Sequence, residues 1–216
     1  MLLRPVWAVV PAKSFATGKS RLSSVLAGPE RARFAGELLD HTLSVLGTAG
    51  LDGVLVATDG DDVAELARQH GAHVLRDDGS APPPVPSTGE ARSGPRLAAV
   101  VDGALAEVEA RGAKTALVLM ADLPRIEVGD VAQLLGAVAA GTVVLAADHL
   151  GRHTNALAMS PPTLIETCFG RADSFAAHRA AVEAAGFEVA VVENERVAFD
   201  VDAPADHARL GAASIP

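Results

Sequence analysis

Residues 6–22 read VWAVVPAKSFATGKSRL, and the order of events in that stretch decides the fold class. Val6–Val10 is an unbroken apolar run stopped by Pro11. A strand with one wet face alternates apolar and polar residues. A strand buried on both faces does not alternate, and such strands belong to parallel sheets covered by helices. After Pro11 the chain turns to Ala, Ser, Thr and Gly with two lysines, which predicts a loop to about Ser20. Lys13, Lys19 and Arg21 therefore follow directly on a buried strand. Fixed cations beside free backbone N–H groups suit a polyphosphate. Gly18-Lys19-Ser20 imitates the end of the phosphate loop G-x-x-x-x-G-K-S. The first glycine of that motif would fall at Lys13, so the motif is excluded. The plainer reading of the stretch is a solvated basic loop.

Working outward, helices and strands alternate. Pro29 opens a periodic segment to about Leu46, ended by Gly47 and Gly50. Strands are expected at 53–58, 72–75, 115–120, 142–147 and 154–159, and short ones at 187–192 and 197–201. Helices are expected at 59–71, 96–112, 127–140, 174–186 and 203–210. Between 77 and 95 lie five of the 13 prolines, which predicts a long, poorly ordered loop. The pattern reads as an α/β three-layer sandwich with a mostly parallel, Rossmann-like sheet. Such folds bind ligands beyond the carboxyl ends of their strands. With 216 residues, one domain over 1–216 is expected.

Composition removes several classes. Hydrophobic residues make 49% of the chain, so it is not a disordered segment. A net charge of −9 argues against a nucleic-acid-coating surface. The single Cys168 excludes an internal disulfide and a cysteine zinc cage. The apolar N-terminal run is too short for a signal peptide, and no stretch is long and apolar enough to span a membrane. A soluble, cytoplasmic protein is expected.

Three more places carry chemistry. Asp122-Leu123-Pro124 follows the 115–120 strand, where a carboxylate is well placed to hold Mg²⁺ against phosphate; the alternative is a helix cap. Gly151-Arg152-His153-Thr154-Asn155-Ala156-Leu157 and Phe169-Gly170-Arg171-Ala172-Asp173-Ser174-Phe175 are polar, glycine-containing turns between apolar segments. Ser174 alone reads as an N-cap. Asp200 and Asp202, at alternate positions of an expected strand, share one face, and Asp202 can meet Asp122 if the strands are neighbours, giving a two-carboxylate Mg²⁺ site. The alternative is that Asp202 or Ala203 caps the last helix and Asp206 strengthens its first turn. His149 and His153 show no metal-ligand spacing.

In order, the motifs V-P-x-K (Val10–Lys13), K-S-R-L (Lys19–Leu22), D-L-P (Asp122–Pro124), T-N-A-L (Thr154–Leu157), F-G…S-F…H (Phe169–His178) and D-V-D-x-P-x-D (Asp200–Asp206) resemble one family. It is the guanylyltransferases of coenzyme F420 biosynthesis, which use 2-phospho-L-lactate or phosphoenolpyruvate and are related to the molybdopterin guanylyltransferases. The resemblance implies a nucleotidyltransferase that joins GTP to a phosphorylated three-carbon acid and releases pyrophosphate. It implies that Lys13, Lys19 and Arg21 neutralise the GTP phosphates, and that Asp122 and Asp202, with Asp200, hold Mg²⁺. It implies that Thr154, Gly170 and Ser174 bind the acid, with Asn155 beside them. The arginine-rich, lysine-poor composition looks like that of a high-GC bacterium, which favours phosphoenolpyruvate. The chain departs from the family pattern at Leu97, where Asn is expected, and at His153, where Gly is usual. A nucleotidyltransferase for another base or phospho-acid, or a non-catalytic nucleotide-binding protein, stays open. Neither a nucleic acid nor a membrane is an expected partner, and a homodimer is left open.

Overall fold

In the computed structural model, residues 2–77, 79 and 94–211 are described. The elements run β1 (Val6–Pro11), α1 (Gly28–Thr48), β2 (Gly53–Thr58), α2 (Asp61–Gln69), β3 (His73–Arg76), α3 (Gly94–Ala110), β4 (Thr115–Leu119), α4 (Val128–Gly136), β5 (Thr142–Ala147), β6 (Thr154–Met159), α5 (Ser174–Ala184), β7 (Glu188–Val191), α6 (Glu195–Ala198) and α7 (Pro204–Leu210). One short 3₁₀ turn, Ser20–Ser24, precedes α1. The proline-rich stretch expected at 77–95 lies, apart from its ends and Gly79, outside the described residues.

The strands form one sheet in the order β3-β2-β1-β4-β6-β5-β7. All pairings are parallel except those of β6, which is antiparallel to β4 and β5. Chain economy explains β6. Only six residues separate it from β5, too few for the crossover a parallel pair needs. Asp148 organises that turn, accepting from the backbone N–H of Arg152 at 2.6 Å and of His153 at 3.0 Å.

β1 lies inside the sheet, between β2 and β4. Its apolar run divides by the period of two: Val6, Ala8 and Val10 pack against α1, α2 and α4, while Trp7 and Val9 pack against α3 on the other face. Both faces are dry, as an unalternating strand requires. Trp7 faces Gly53 across the β1–β2 pair. A Cβ at Gly53 would stand 2.6 Å from the indole carbons, inside contact distance. Gly53→Ala is therefore expected to cost about 1–3 kcal/mol by overpacking, read as a lowered urea midpoint. An unchanged midpoint would mean the indole has room to move.

One expected element is absent. Residues 197–201 do not form a strand. Asn194 caps the short α6, its side chain accepting from the backbone N–H groups of Arg196 and Val197. Local capping thus outcompetes the short apolar run of that segment. Phe199–Ala203 then runs as irregular chain, tied to the sheet by the bond from the Val201 N–H to the Asp122 carbonyl, 3.2 Å. Among the described residues no helix is long and apolar enough to cross a membrane.

Candidate active site

The strand order reverses between β1 and β4: β1 connects outward to β2, and the chain later returns on β1's other side as β4. At such a switch point the loops after the two strands part and leave a crevice. The loop after β1 carries Lys13, Lys19 and Arg21, and the loop after β4 carries Asp122.

The basic loop is held from behind. The Ser14 N–H donates to Asp59 Oδ1 at 2.9 Å, and the Phe15 N–H to Asp62 Oδ2 at 2.9 Å. The N–H groups of Thr17 and Gly18 donate to the Ser14 carbonyl. These four N–H groups, expected to be free for an anion, are already bonded. Positive charge in this loop resides on side chains. Gly60 allows the approach: a Cβ there would lie 2.6 Å from the Ser14 Cα. The anchoring role of Asp59 and Asp62 carried no separate signal, because Asp after a strand also reads as a helix start.

Lys19 sits in left-handed backbone, φ 51° and ψ 35°, which an L side chain resists. The turn delivers its ammonium into the carboxylates. Lys19 Nζ is 2.7 Å from Asp122 Oδ2 and 3.0 Å from Asp202 Oδ1. Arg21, largely exposed, stands 3.6 Å from Asp202 Oδ2. Lys13 is exposed and lines the crevice without an ion pair among the described residues.

Asp122, Asp200 and Asp202 each bring a ligand atom within 4.8 Å of the others. The face-sharing expected of a strand is thus achieved by irregular chain. Burial disfavours the charge on Lys19, but Asp122 and Asp202 outweigh it and raise its pKa. Burial pushes the Asp200 carboxyl up to about 6, and the neighbouring charges of Asp122 and Asp202 add to the shift. Burial also opposes the charge on Asp202, but Lys19, and more weakly Arg21, hold it below the usual range. Asp122 Oδ1 is buried with no hydrogen-bond partner among the described residues. A buried, unpartnered carboxylate oxygen within a triad of acids is the donor set a hard divalent cation takes. The lysine ammonium holds the same carboxylates as a cation would. The residues therefore fit a metal.

Two cavities meet at this cluster. One, of about 300 Å³, runs along Pro11–Lys13, Phe15 and Lys19. The other, of about 210 Å³, is lined by Arg21, His153, Thr154, Gly170, Arg171 and Ser174. Asp122, Asp202, Leu97 and Met120 line both. Gly170 lines the second cavity with φ 82°, a conformation that favours glycine. Ser174 does not cap α5 in the expected way; its Oγ accepts from the Thr154 N–H at 3.0 Å. Asn155 is buried, and its amide donates to the Val197 carbonyl at 3.0 Å and reaches Asp200 Oδ1 at 3.4 Å. It ties β6 to the acidic cluster. His153 pairs with Asp148 at 3.0 Å, and His149 lies 3.6 Å from both Asp200 and Asp206. Neither histidine was legible as a site residue, since its partners come from loop geometry rather than spacing.

The model of the MobA-like NTP transferase domain matches residues 30–186. A phosphoenolpyruvate guanylyltransferase of Sphaerobacter thermophilus is 37% identical over 214 residues, covering 96% of each chain. One of Rubrobacter xylanophilus is 39% identical, covering 96% of this chain and 94% of its own. The chain belongs to the phosphoenolpyruvate guanylyltransferase family, within the MobA-like NTP transferases. A solved structure, a putative nucleotide-diphospho-sugar transferase from Desulfovibrio desulfuricans, superposes with a TM-score of 0.68 at 13% identity. It covers 93% of this chain and 84% of its own, and it shows the shared fold. As a member of the phosphoenolpyruvate guanylyltransferase family the chain is an enzyme of the nucleotidyltransferase class. The crevice at the β1–β4 switch point is where its chemistry is to be sought.

Proposed function

We propose that the chain transfers GMP from GTP to phosphoenolpyruvate and releases pyrophosphate, a reaction that serves coenzyme F420 biosynthesis. One observation carries the reading: two cavities share a single wall of carboxylates, with cations on both sides. A transfer between two phosphorylated ligands needs that arrangement. The family names of the relatives point to the same pair of substrates.

In this reading the phosphate of the acid attacks the α-phosphorus of GTP in line. The attacking phosphate is already anionic near pH 7, so no general base is needed. Catalysis is positioning and charge neutralisation. Lys13 and Lys19 neutralise the triphosphate along the larger cavity. Arg21, exposed at the mouth of the smaller one, serves the incoming anion and the leaving group. Thr154, Gly170 and Ser174 bind the acid. Asp122 and Asp202, with Asp200, hold Mg²⁺, which when bound supplies charge neutralisation to the reacting phosphates. Asn155 keeps Asp200 oriented towards them.

The test is a pyrophosphate-release matrix of four nucleoside triphosphates against phosphoenolpyruvate, 2-phospholactate and 3-phosphoglycerate. Release is expected with GTP and phosphoenolpyruvate, and only when Mg²⁺ is present. A faster pairing of another base or acid would overturn the substrate assignment. Thermal stabilisation by GTP and Mg²⁺ without any release would favour a nucleotide-binding protein.

A further inference from the structure

His178 is fully buried one turn into α5, edge-on to Phe169 with ring centroids 4.7 Å apart. No step described above uses it. Both of its ring nitrogens are engaged. The Cys168 N–H donates to Nε2 at 2.7 Å, and Nδ1 lies 2.9 Å from Thr154 Oγ1. A backbone N–H can only donate, so Nε2 is an acceptor and carries no proton. A neutral imidazole then bears its proton on Nδ1. Burial lowers the pKa of His178 to about 4, against the Ser174 backbone, which raises it, so the ring is neutral near pH 7.

That tautomer dictates the direction of the next bond. A protonated Nδ1 has no lone pair to offer a hydroxyl. Thr154 Oγ1 must therefore accept, and its own hydrogen must point elsewhere. Ser174 Oγ is likewise used as an acceptor, by the Thr154 N–H. Neither hydroxyl has another hydrogen-bond partner among the described residues, and both residues line the smaller cavity.

We propose that His178 is a positioning residue for the phospho-acid: by donating from Nδ1, it fixes the Thr154 hydroxyl as a donor aimed into the cavity. The proposal rests on the reading of that cavity as the acid site. Phosphate and carboxylate oxygens accept hydrogen bonds and offer none. A hydroxyl already committed as a donor meets such a ligand without reorganising, and it discriminates against a ligand that must itself donate there. The same lock extends to Ser174 through the Thr154 backbone. The triad of Thr154, Ser174 and His178 thus presents two donor hydroxyls from a dry interior.

The experiment is a double-mutant cycle read as separate KM values. His178→Gln can keep an acceptor near the Nε2 position and lacks the Nδ1 donor; His178→Asn places an amide nitrogen close to Nδ1. Thr154→Val removes the hydroxyl at nearly constant shape. His178→Gln and Thr154→Val are each expected to raise KM for phosphoenolpyruvate about tenfold or more, while KM for GTP stays within about twofold. The double variant should be no worse than Thr154→Val alone, and His178→Asn should recover most of the loss. Multiplying losses in the double variant, or equal rises in KM for GTP, would overturn the proposal. A normal KM for the acid in Thr154→Val would remove the acid-site reading together with the proposal. A raised value there beside an unaffected His178→Gln would remove the role of His178 alone. Should the His178 variants not fold, the ¹⁵N shifts of the wild-type ring decide the matter. They are expected to show a protonated Nδ1 and a bare Nε2, and the opposite tautomer would overturn the proposal.

Discussion

Asp122→Asn is expected to slow pyrophosphate release from GTP and phosphoenolpyruvate by a thousandfold or more, about 4 kcal/mol of transition-state stabilisation. The substitution preserves size. An asparagine oxygen can still accept from Lys19, so the pair at 2.7 Å loses its charge rather than its contact. What disappears is one of three carboxylates whose ligand atoms lie within 4.8 Å of one another. It is also the carboxylate with a buried, unpartnered oxygen. A neutral amide there is a poor ligand for a hard divalent cation, and Mn²⁺ titration should show weakened binding in parallel with the lost rate. Stability should move the other way, or not at all. Removing one of three crowded acids relieves repulsion, so the metal-free melting temperature should not fall. Near-normal turnover would sink the assignment of Asp122 to the metal. A collapsed melting temperature would mean that Asp122 holds the fold together instead.

The fold was legible because its decisive signals are local. The unalternating Val6–Val10 run announces a strand buried on both faces, and the sheet places it inside, between β2 and β4, with α1 and α3 on opposite sides. The direction of β6 was not legible, since Thr154–Met159 reads the same either way; turn length and the Asp148 bonds decide it. Nor was the fate of Val197–Val201. Its short apolar run matches a strand, but the Asn194 side chain bonds the Arg196 and Val197 N–H groups and holds the start of the segment in a helical turn. The candidate site divides along the same line. Lys19, Asp122 and Asp202 stood out through residue type and their place after strands, and the structure brings them within hydrogen-bond distance. Asp59, Asp62 and His178 act through contacts between separate elements, and His153 through its Asp148 partner inside the β5–β6 turn. Their spacing carries no motif, and a buried histidine or a helix-start aspartate looks ordinary until its partner is known.

Lys19→Met is expected to do two things that ordinarily oppose each other: tighten metal binding and slow the reaction. In the structure described here Lys19 Nζ occupies the carboxylates, at 2.7 Å from Asp122 and 3.0 Å from Asp202. A divalent cation must take over those oxygens from the ammonium. Two unit charges about 4 Å apart interact by about 1 kcal/mol in bulk water and about 4 kcal/mol at the effective dielectric near a protein surface. Removing the competing ammonium should therefore lower the Kd for Mn²⁺ or Mg²⁺, measured without nucleotide, by about tenfold or more. The same variant has lost one of only three cations, with Lys13 and Arg21, in the loop proposed to face the triphosphate. Its rate with saturating GTP should fall on the order of a hundredfold, within the range for removing one preorganised charge-stabilising group. Metal-free stability should also fall, because Asp122, Asp200 and Asp202 are left without the charge that balances them. Saturating Mg²⁺ should restore it. Arginine is not a rescue here: its planar fork is larger than the ammonium and cannot sit as a point charge between two carboxylates. An ammonium that both competes with the metal and serves the phosphates produces the two effects together. Weaker metal binding in Lys19→Met would mean that the lysine organises the acidic cluster rather than competes for it. An unchanged rate would mean that the ammonium never leaves the carboxylates to serve the phosphates.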